Sequence, residues 1–433
     1  MSKGKKAGII VGCIVVVIVA IVLFILKPWQ GTPSVEIYTL TINVSPSGAG
    51  SVSPSSGEYE SNAQVTLTAS PASGYFFDYW SGDVSAIADV NAAATTITMN
   101  SDYSITANFG QGQLIQNWYH LDAIRDNPRG SYILMNGLDS TSPGYAELAS
   151  PTANGGKGWQ PISSFNGDFD GQGYEITDLF ISRPEEGAVG LFSLVAEEGI
   201  IKHIGLVKVA ITSGGLGLCG SLAAHNDGTV SDSYATGSVA GESIVGGLVG
   251  WNDGIVNNSY ATCIVAGESI VGGLVGDNKG NVSNSCSTGR VSGDSSVGGL
   301  VGWNTGTLSN SYATSNVVAV GLVGGLVGLN DHGIVSNSYS NGSVTSNQYV
   351  GGLVGLSDEG TVLNSFWDTQ TSEQATSGGG TGKTTAEMQD IVTFSSAGWD
   401  IITVINPDIR NSAYIWNIVD DETCPFLSWQ LVS

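Results

Sequence analysis

From about Tyr38 the chain alternates polar and apolar residues in short bursts. The runs YTLTINV, AQVTLTA, TTITM and YSITANF are each bounded by clusters of Gly, Pro, Ser and Asn. A period of two between turn residues predicts half-buried strands, so residues 38–110 read as a small β-rich module. From residue 117 the pattern changes. NWYHLDAIRDNPRGSYILMNGLD opens with a short helical stretch followed by a strand, and GWQPISSFNGDFDGQGYEITDLFISR supplies further strands. Residues 111–185 are expected to form the entry and cap of a repeat region that begins after them.

In that region one block of sequence recurs. VGGLVGWNDG at residues 245–254 returns as VGGLVGDNKG, VGGLVGWNTG, VGGLVGLNDHG and VGGLVGLSDEG. Counted on the first glycine of each pair, copies fall at Gly246, Gly272, Gly298, Gly324 and Gly351, with a decayed copy at Gly220; the intervals are 26, 26, 26, 26 and 27 residues. Other columns keep the register. Ser233, Ser259, Ser285, Ser311, Ser338 and Ser365 are each preceded by Asn or, at the first, by Asp232. They are followed by Tyr234, Tyr260, Cys286, Tyr312, Tyr339 and Phe366. His332 and Glu359 are insertions in the Asn-x-Gly turn.

This period is too short for a propeller blade, and the glycines with Val, Ser and Thr disfavour helical repeats. The expected fold is all-β: a parallel β-helix of 26–27-residue coils over residues 186–370, in which equivalent residues stack about 4.8 Å apart. Val and Leu then stack inward, with Leu300 between Leu274 and Leu326. Asn and Ser hydrogen-bond along the axis. Each Gly pair marks a bend too tight for a Cβ or one that needs positive φ. Residues 371–433 form a C-terminal loop and cap region.

The first residues differ from all of this. Lys3, Lys5 and Lys6 precede an uncharged run from Ala7 to Leu26, long enough as a helix to cross the roughly 30 Å core of a bilayer. The run is longer than a signal-peptide core and ends in KPWQ, not in a small-residue cleavage site. The expectation is a basic tail at 1–6, an uncleaved transmembrane helix at 7–26 and a linker at 27–37. IVGC around Cys13 resembles a lipoprotein box, but the long uncharged run after it argues for the anchor. The lysines place the N-terminus in the cytoplasm and residues 28–433 outside the cell. Those residues carry 10 basic and 38 acidic side chains, a net charge of −28. Such a surface repels nucleic acid and anionic lipid, so nucleic-acid binding is not expected. The five cysteines form no CxxC pair and read as buried thiols.

Two resemblances sharpen this reading. SPSGAGSVSP and GYFFDYWSGD within residues 38–109 resemble the divergent internalin B-repeat-like modules of bacterial surface proteins, which implies a β-rich spacer or binding element. GTVSDSYATGSVAGESIVGGLVGWNDG and its copies resemble the GLUG motif of bacterial and archaeal cell-surface proteins, and the flanks extend the likeness over residues 117–433. It implies an exported or anchored solenoid of adhesion-type proteins. The chain departs from the pattern in its decayed first copy, in Cys286 at the tyrosine position and in VVAVGLVGG, which lacks the polar turn.

Candidate chemistry is sparse. SGGGTGKTT (377–385) has Ser377 where a phosphate-binding loop needs its first glycine, and no core strand precedes it, so it reads as a loop and no nucleotide is expected. Asp168 and Asp170 in GDFDGQG lack the later ligands of an EF-hand and read as a tight turn. His120, His203, His225 and His332 form no HExxH, and no G-x-S-x-G elbow occurs. Glu242, Glu268 and Asp294 share one repeat position, so a solenoid would stack three carboxylates on one edge, a candidate low-affinity Ca²⁺ site. Trp251 and Trp303, two coils apart, are candidates for stacking on a sugar. No catalytic residues and no cofactor other than this Ca²⁺ are expected. The functional expectation is a non-enzymatic surface protein for adhesion, matrix or glycan contact, or envelope structure. The alternative is a polysaccharide lyase or hydrolase built on a β-helix.

Overall fold

The computed structural model describes residues 35–430 except Ser73 and Asn347. The expected transmembrane helix at 7–26 lies outside the described residues. Among those described, no helix is long and apolar enough to cross a membrane. The chain divides into two compact units, 1–111 and 112–433.

In the first unit every run read as a strand is one. Ile37–Ser45 pairs in parallel with Tyr103–Gln111 and antiparallel with Gly57–Glu60, and Tyr75–Gly82 completes a four-stranded sheet. Gln64–Pro71 lies between Gly50–Ser53 and Ala94–Thr98 in a second sheet. Alternation sends Leu40, Leu67, Ile97 and Ile105 into a common core with Trp80. The indole N–H of Trp80 donates to the Ala92 carbonyl at 3.0 Å, so the buried ring leaves no polar atom unpaired.

The second unit is a parallel β-solenoid, and its coils follow the period of the sequence. One coil runs through strands Ile244–Gly246, Val249–Asn252, Ile255–Asn257, Tyr260–Ala261 and Ile264–Ala266. Each pairs in parallel with its equivalent one repeat on: Val256 with Val282, Val265 with Val291, Gly246 with Gly272. Ser131–Leu134 and Asp168–Asp170 join the same ladder, so residues 111–185 supply coils of their own. Leu248, Leu274, Leu300, Leu326 and Leu353 are all fully buried, and the Leu300 amide donates to the Leu326 carbonyl at 2.9 Å. The inward Leu column is as expected.

Three further columns explain the repeat residue by residue. The buried asparagines form a ladder, each Nδ2 donating to the next Oδ1: Asn226 to Asn252 at 2.7 Å, Asn252 to Asn278, Asn278 to Asn304 and Asn304 to Asn330 at 2.8 Å. In the serine column each backbone N–H donates to the next Oγ, as Ser285 does to Ser311 at 3.1 Å, while that Oγ donates to the carbonyl two residues back. A buried side chain is thereby satisfied on both sides. The residue before each serine, from Asp232 (φ 48°) to Asn364 (φ 48°), is left-handed, a conformation that Asn and Asp tolerate better than other side chains. The insertions His332 (φ 56°) and Glu359 (φ 51°) are also left-handed, so the extra residue is taken up inside the turn.

The glycine pair behaves differently from one of its two expected causes. Neither Gly246 nor Gly247 has positive φ. A Cβ on Gly246 would lie 1.8 Å from the Val249 carbonyl oxygen, and one on Gly247 would lie 2.1 Å from the Gly273 oxygen in the next coil. Close approach of backbone to backbone demands these glycines, and the left-handed bend falls on the Asn column instead. Two other readings change. Asp168 and Asp170 lie on a strand, with the tight turn coming after it at Gln172 (φ 53°) and Gly173 (φ 77°). Within 377–385, Thr381–Lys383 pairs with Phe366–Asp368 as the last rung of the solenoid, and Thr384 caps the helix Thr385–Met388 with a capping box.

Candidate functional site

Two columns of large side chains run along the outside of the coils. The first passes through His225, Trp251, Asp277, Trp303, Leu329 and Leu356, which are register partners in consecutive coils. Trp251 and Trp303 are half-buried, and Asp277 separates them. The Lys279 ammonium sits 4.0 Å from the centre of the Trp251 ring, and His225 packs on the same indole at 5.9 Å. Asp277 is only 4% exposed, and burial pushes its carboxyl up to about 6, with Lys279 opposing and Asp253 adding. Trp251 Nε1, Trp303 Nε1 and Asp277 Oδ1 are buried without a hydrogen-bond partner. Such groups are few in folded proteins.

Glu242, Glu268 and Asp294 do succeed one another on one edge. The Glu268 amide donates to the Glu242 carbonyl and the Asp294 amide to the Glu268 carbonyl, both at 3.1 Å, and all three side chains are exposed. Glu242 Oε2 accepts from the Gly215 N–H at 2.8 Å. Among the described residues, the group that gathers three ligand atoms within 4.8 Å is a different one, His225, Asp227 and Asp253. His225 Nε2 lies 2.9 Å from Asp227 and 3.1 Å from Asp253. Sequence reasoning missed this cluster, although the 26-residue register puts Asp227 and Asp253 at one turn position and His225 in the column of Trp251. Asp168 and Asp170 face Lys202 at 3.5 and 3.8 Å, and His203 Nδ1 donates to Asp170 at 3.1 Å. Burial works against Asp170, yet the His203 hydrogen bond holds its carboxyl below the ordinary range. These charges are already paired.

The second column is the one after the serines. Tyr234 and Tyr260 stack at 4.8 Å and 5°, and Tyr312 and Tyr339 at 5.0 Å and 2°. Here the C-terminal segment folds back. Its helices Thr385–Met388 and Ile391–Ser395 and its strands Ile401–Thr403, Trp416–Ile418 and Phe426–Leu427 bring Phe394, Trp399 and Trp416 into one buried cluster with Tyr312, Tyr339 and Phe366. The Tyr339 hydroxyl donates to the Pro425 carbonyl at 2.6 Å, and the Trp429 and Trp399 N–H groups donate to the carbonyls of Asn284 and Asn364. Cys286, the departure at the tyrosine position, leaves room for Gln430, whose Nε2 donates to its sulfur at 3.0 Å. Burial pushes the Cys286 thiol up to about 12, so it is no nucleophile.

Residues 293–318 and 319–345 match the model of the GLUG motif. Residues 40–113 match the divergent InlB B-repeat domain. The GLUG match gives each recurring letter of the repeat a place on the coil: the glycine pair at close backbone contact, the Asn-Ser-Tyr run at the left-handed bend, the serine ladder and the outer column. The chain is similar to halomucin of Haloquadratum walsbyi, 30% identical over 159 residues, which are 35% of this chain and 2% of halomucin. It is also similar to a protein of Evansella cellulosilytica provisionally named a Gly-rich membrane protein, 32% identical over 124 residues, 28% of this chain and 14% of that one. The match thus spans a small fraction of either relative's length. A crystal structure from Bacteroides ovatus, provisionally named an immunoglobulin A1 protease, aligns at 17% identity and a TM-score of 0.49, covering 74% of this chain and 93% of that one. Nothing about activity follows from a likeness of that size.

Proposed function

We propose that this chain is an outward-facing surface protein, tethered by residues 7–26, that binds glycan or matrix and does no chemistry on it. The observation that carries the reading is the outer column of Trp251, Asp277 and Trp303. It sets the part-exposed indoles of Trp251 and Trp303 beside the polar side chains of His225, Asp253 and Lys279. Aromatic faces with a few polar atoms beside them suit a sugar, whose ring carries C–H faces and a hydroxyl edge. The relatives support the setting: one is named halomucin and the other, provisionally, a Gly-rich membrane protein. The β-rich module at 40–113 then serves as the spacer between membrane and solenoid. A low-affinity Ca²⁺ at Glu242, Glu268 and Asp294 would stabilise the solenoid edge.

The test uses the full-length chain in detergent micelles on a glycan array, with a reducing-end assay on every polysaccharide that binds. The reading requires binding without new reducing ends, reduced by Trp251→Ala and Trp303→Ala. New reducing ends would turn the assignment to a polysaccharide-active enzyme, and a blank array would remove the glycan.

A further inference from the structure

The tyrosine column has a missing rung. Its adjacent tyrosines stack at 4.8–5.0 Å, and Cys286 interrupts them between Tyr260 and Tyr312. One coil spacing is about the thickness that one stacked ring needs. Gln430 takes part of the gap through its contacts with Cys286 and the Tyr312 hydroxyl, and Trp429 another part, its ring 6.3 Å from that of Tyr260. The remainder is a cavity of about 450 Å³, lined by Tyr260, Thr262, Cys286, Thr288, Asp408 and Arg410 among others. That volume lies within the range of small-molecule sites.

The walls are chemically specific. Tyr260 lines the cavity with its ring, which Tyr234 stacks on at 4.8 Å and Trp429 meets at a tilt at 6.3 Å. Thr262 and Thr288 are exposed hydroxyls at equivalent positions of consecutive coils. Arg410 is held in place: its guanidinium lies 4.4 Å from the centre of the Phe426 ring, Nε donates to the Gln430 carbonyl at 2.9 Å, and Nη1 donates to the Pro407 carbonyl. Asp408 stands beside it at the mouth. Cation and carboxylate together offer donors and acceptors with no net charge. An anionic ligand would meet Asp408 and the field of a chain with a net charge of −24. A flat apolar ring would leave the two threonines and Asp408 without partners.

We infer that this gap binds a single neutral pyranose, which packs its C–H surface against the part of the Tyr260 ring that lines the cavity while its hydroxyls meet Thr262, Thr288, Asp408 and Arg410. The ligand class rests on the glycan-binding reading above, but the site is separate from the Trp251 column. Saturation-transfer NMR on the full-length chain in micelles tests it, with methyl glycosides of glucose, galactose and mannose as probes. Methyl glucuronide and p-cresol are the acidic and aromatic comparators. At least one neutral glycoside should saturate, with its axial C–H protons strongest. Cys286→Tyr restores the rung and should weaken binding by about tenfold or more. Because that change also crowds Gln430, the exposed pair Thr262→Val/Thr288→Val provides an independent arm: about tenfold weaker binding at an unchanged melting temperature.

No saturation by any neutral glycoside, equal binding in both variants, or tighter binding of the glucuronide or p-cresol would overturn the inference. If the wild type and Cys286→Tyr light the same spots on the array while the glycosides fail, this inference fails alone and the contact lies elsewhere. A blank array with no saturation removes both.

Discussion

The two outer columns share one period and one scaffold, yet they are used in opposite ways. Along the tyrosine column the Tyr312 and Tyr339 hydroxyls and the Asn284 and Asn364 carbonyls are taken up by the chain's own C-terminal segment, as in Tyr339 to Pro425 and Trp429 to Asn284. Along the tryptophan column the contacts remain local, His225 and Lys279 on Trp251, and Trp251 and Trp303 stay part-exposed. The first column therefore belongs to the stability of the solenoid and the second to its surface. Periodicity fixes where a side chain stands. What reaches over it decides what it does.

That contrast can be broken by substitution. The largest effect belongs to the core beneath both columns. Leu300→Asp buries an unpaired carboxylate between Leu274 and Leu326 and should cost on the order of 5 kcal/mol, read as loss of cooperative melting. An unchanged melting curve would mean the row faces solvent. Next comes Tyr339→Ala, which removes a 2% exposed ring and its hydroxyl anchor; about 3–5 kcal/mol is expected, with faster amide exchange across residues 385–430. Trp303→Ala, in the half-buried column, should cost about 1 kcal/mol or less. Equal costs for the two would erase the distinction between the columns.

Asp277 gives the comparison a pH signature. Its folded carboxyl titrates at about 6, above the ordinary value of 3.8, so the folded chain keeps the proton to higher pH than the unfolded chain does. Relative to Asp277→Asn, the wild type should lose roughly 2–3 kcal/mol as pH rises from about 4 to about 6, and below 4 the two should converge. Parallel stability curves across that range would show that Asp277 is solvated. The smallest effect is at the acidic edge. A few millimolar Ca²⁺ should raise the melting temperature slightly, and Glu268→Gln should remove most of that gain. The same response in both chains would leave the edge as plain solvated carboxylates.

The sequence made the coils legible because every rung repeats a residue for a physical reason: Asn at a left-handed φ, Ser satisfied along the axis, Leu in the core. The decayed copy at Gly220 still pairs in register with Gly246, so even a weak repeat was readable. What was not legible lies off the period. The glycine pair could have served a tight contact or a positive φ, and only backbone coordinates distinguish the two. The C-terminal segment has no repeat, and its contacts with the column span 118 residues from Tyr312 to Gln430 and 145 from Asn284 to Trp429. Cys286 was visible as a departure, but its consequence depends on that distant segment. The His225 cluster escaped because its three residues belong to two coils and no local motif joins them.

The stacking of coils itself is open to one direct measurement. Ile200, Ile255, Ile334 and Thr361 occupy one column of the ladder and are exposed. With Cys13 and Cys424 replaced by serine, nitroxide labels at Ile200→Cys paired with Ile334→Cys should lie about 24 Å apart, five coils on, and those at Ile200→Cys paired with Thr361→Cys about 29 Å apart, six coils on. Ile255→Cys with Thr361→Cys should give about 19 Å. Electron–electron dipolar spectroscopy should therefore show separations that grow by about 5 Å per coil. Distances that fail to grow with the number of repeats would contradict the solenoid and every column drawn on it.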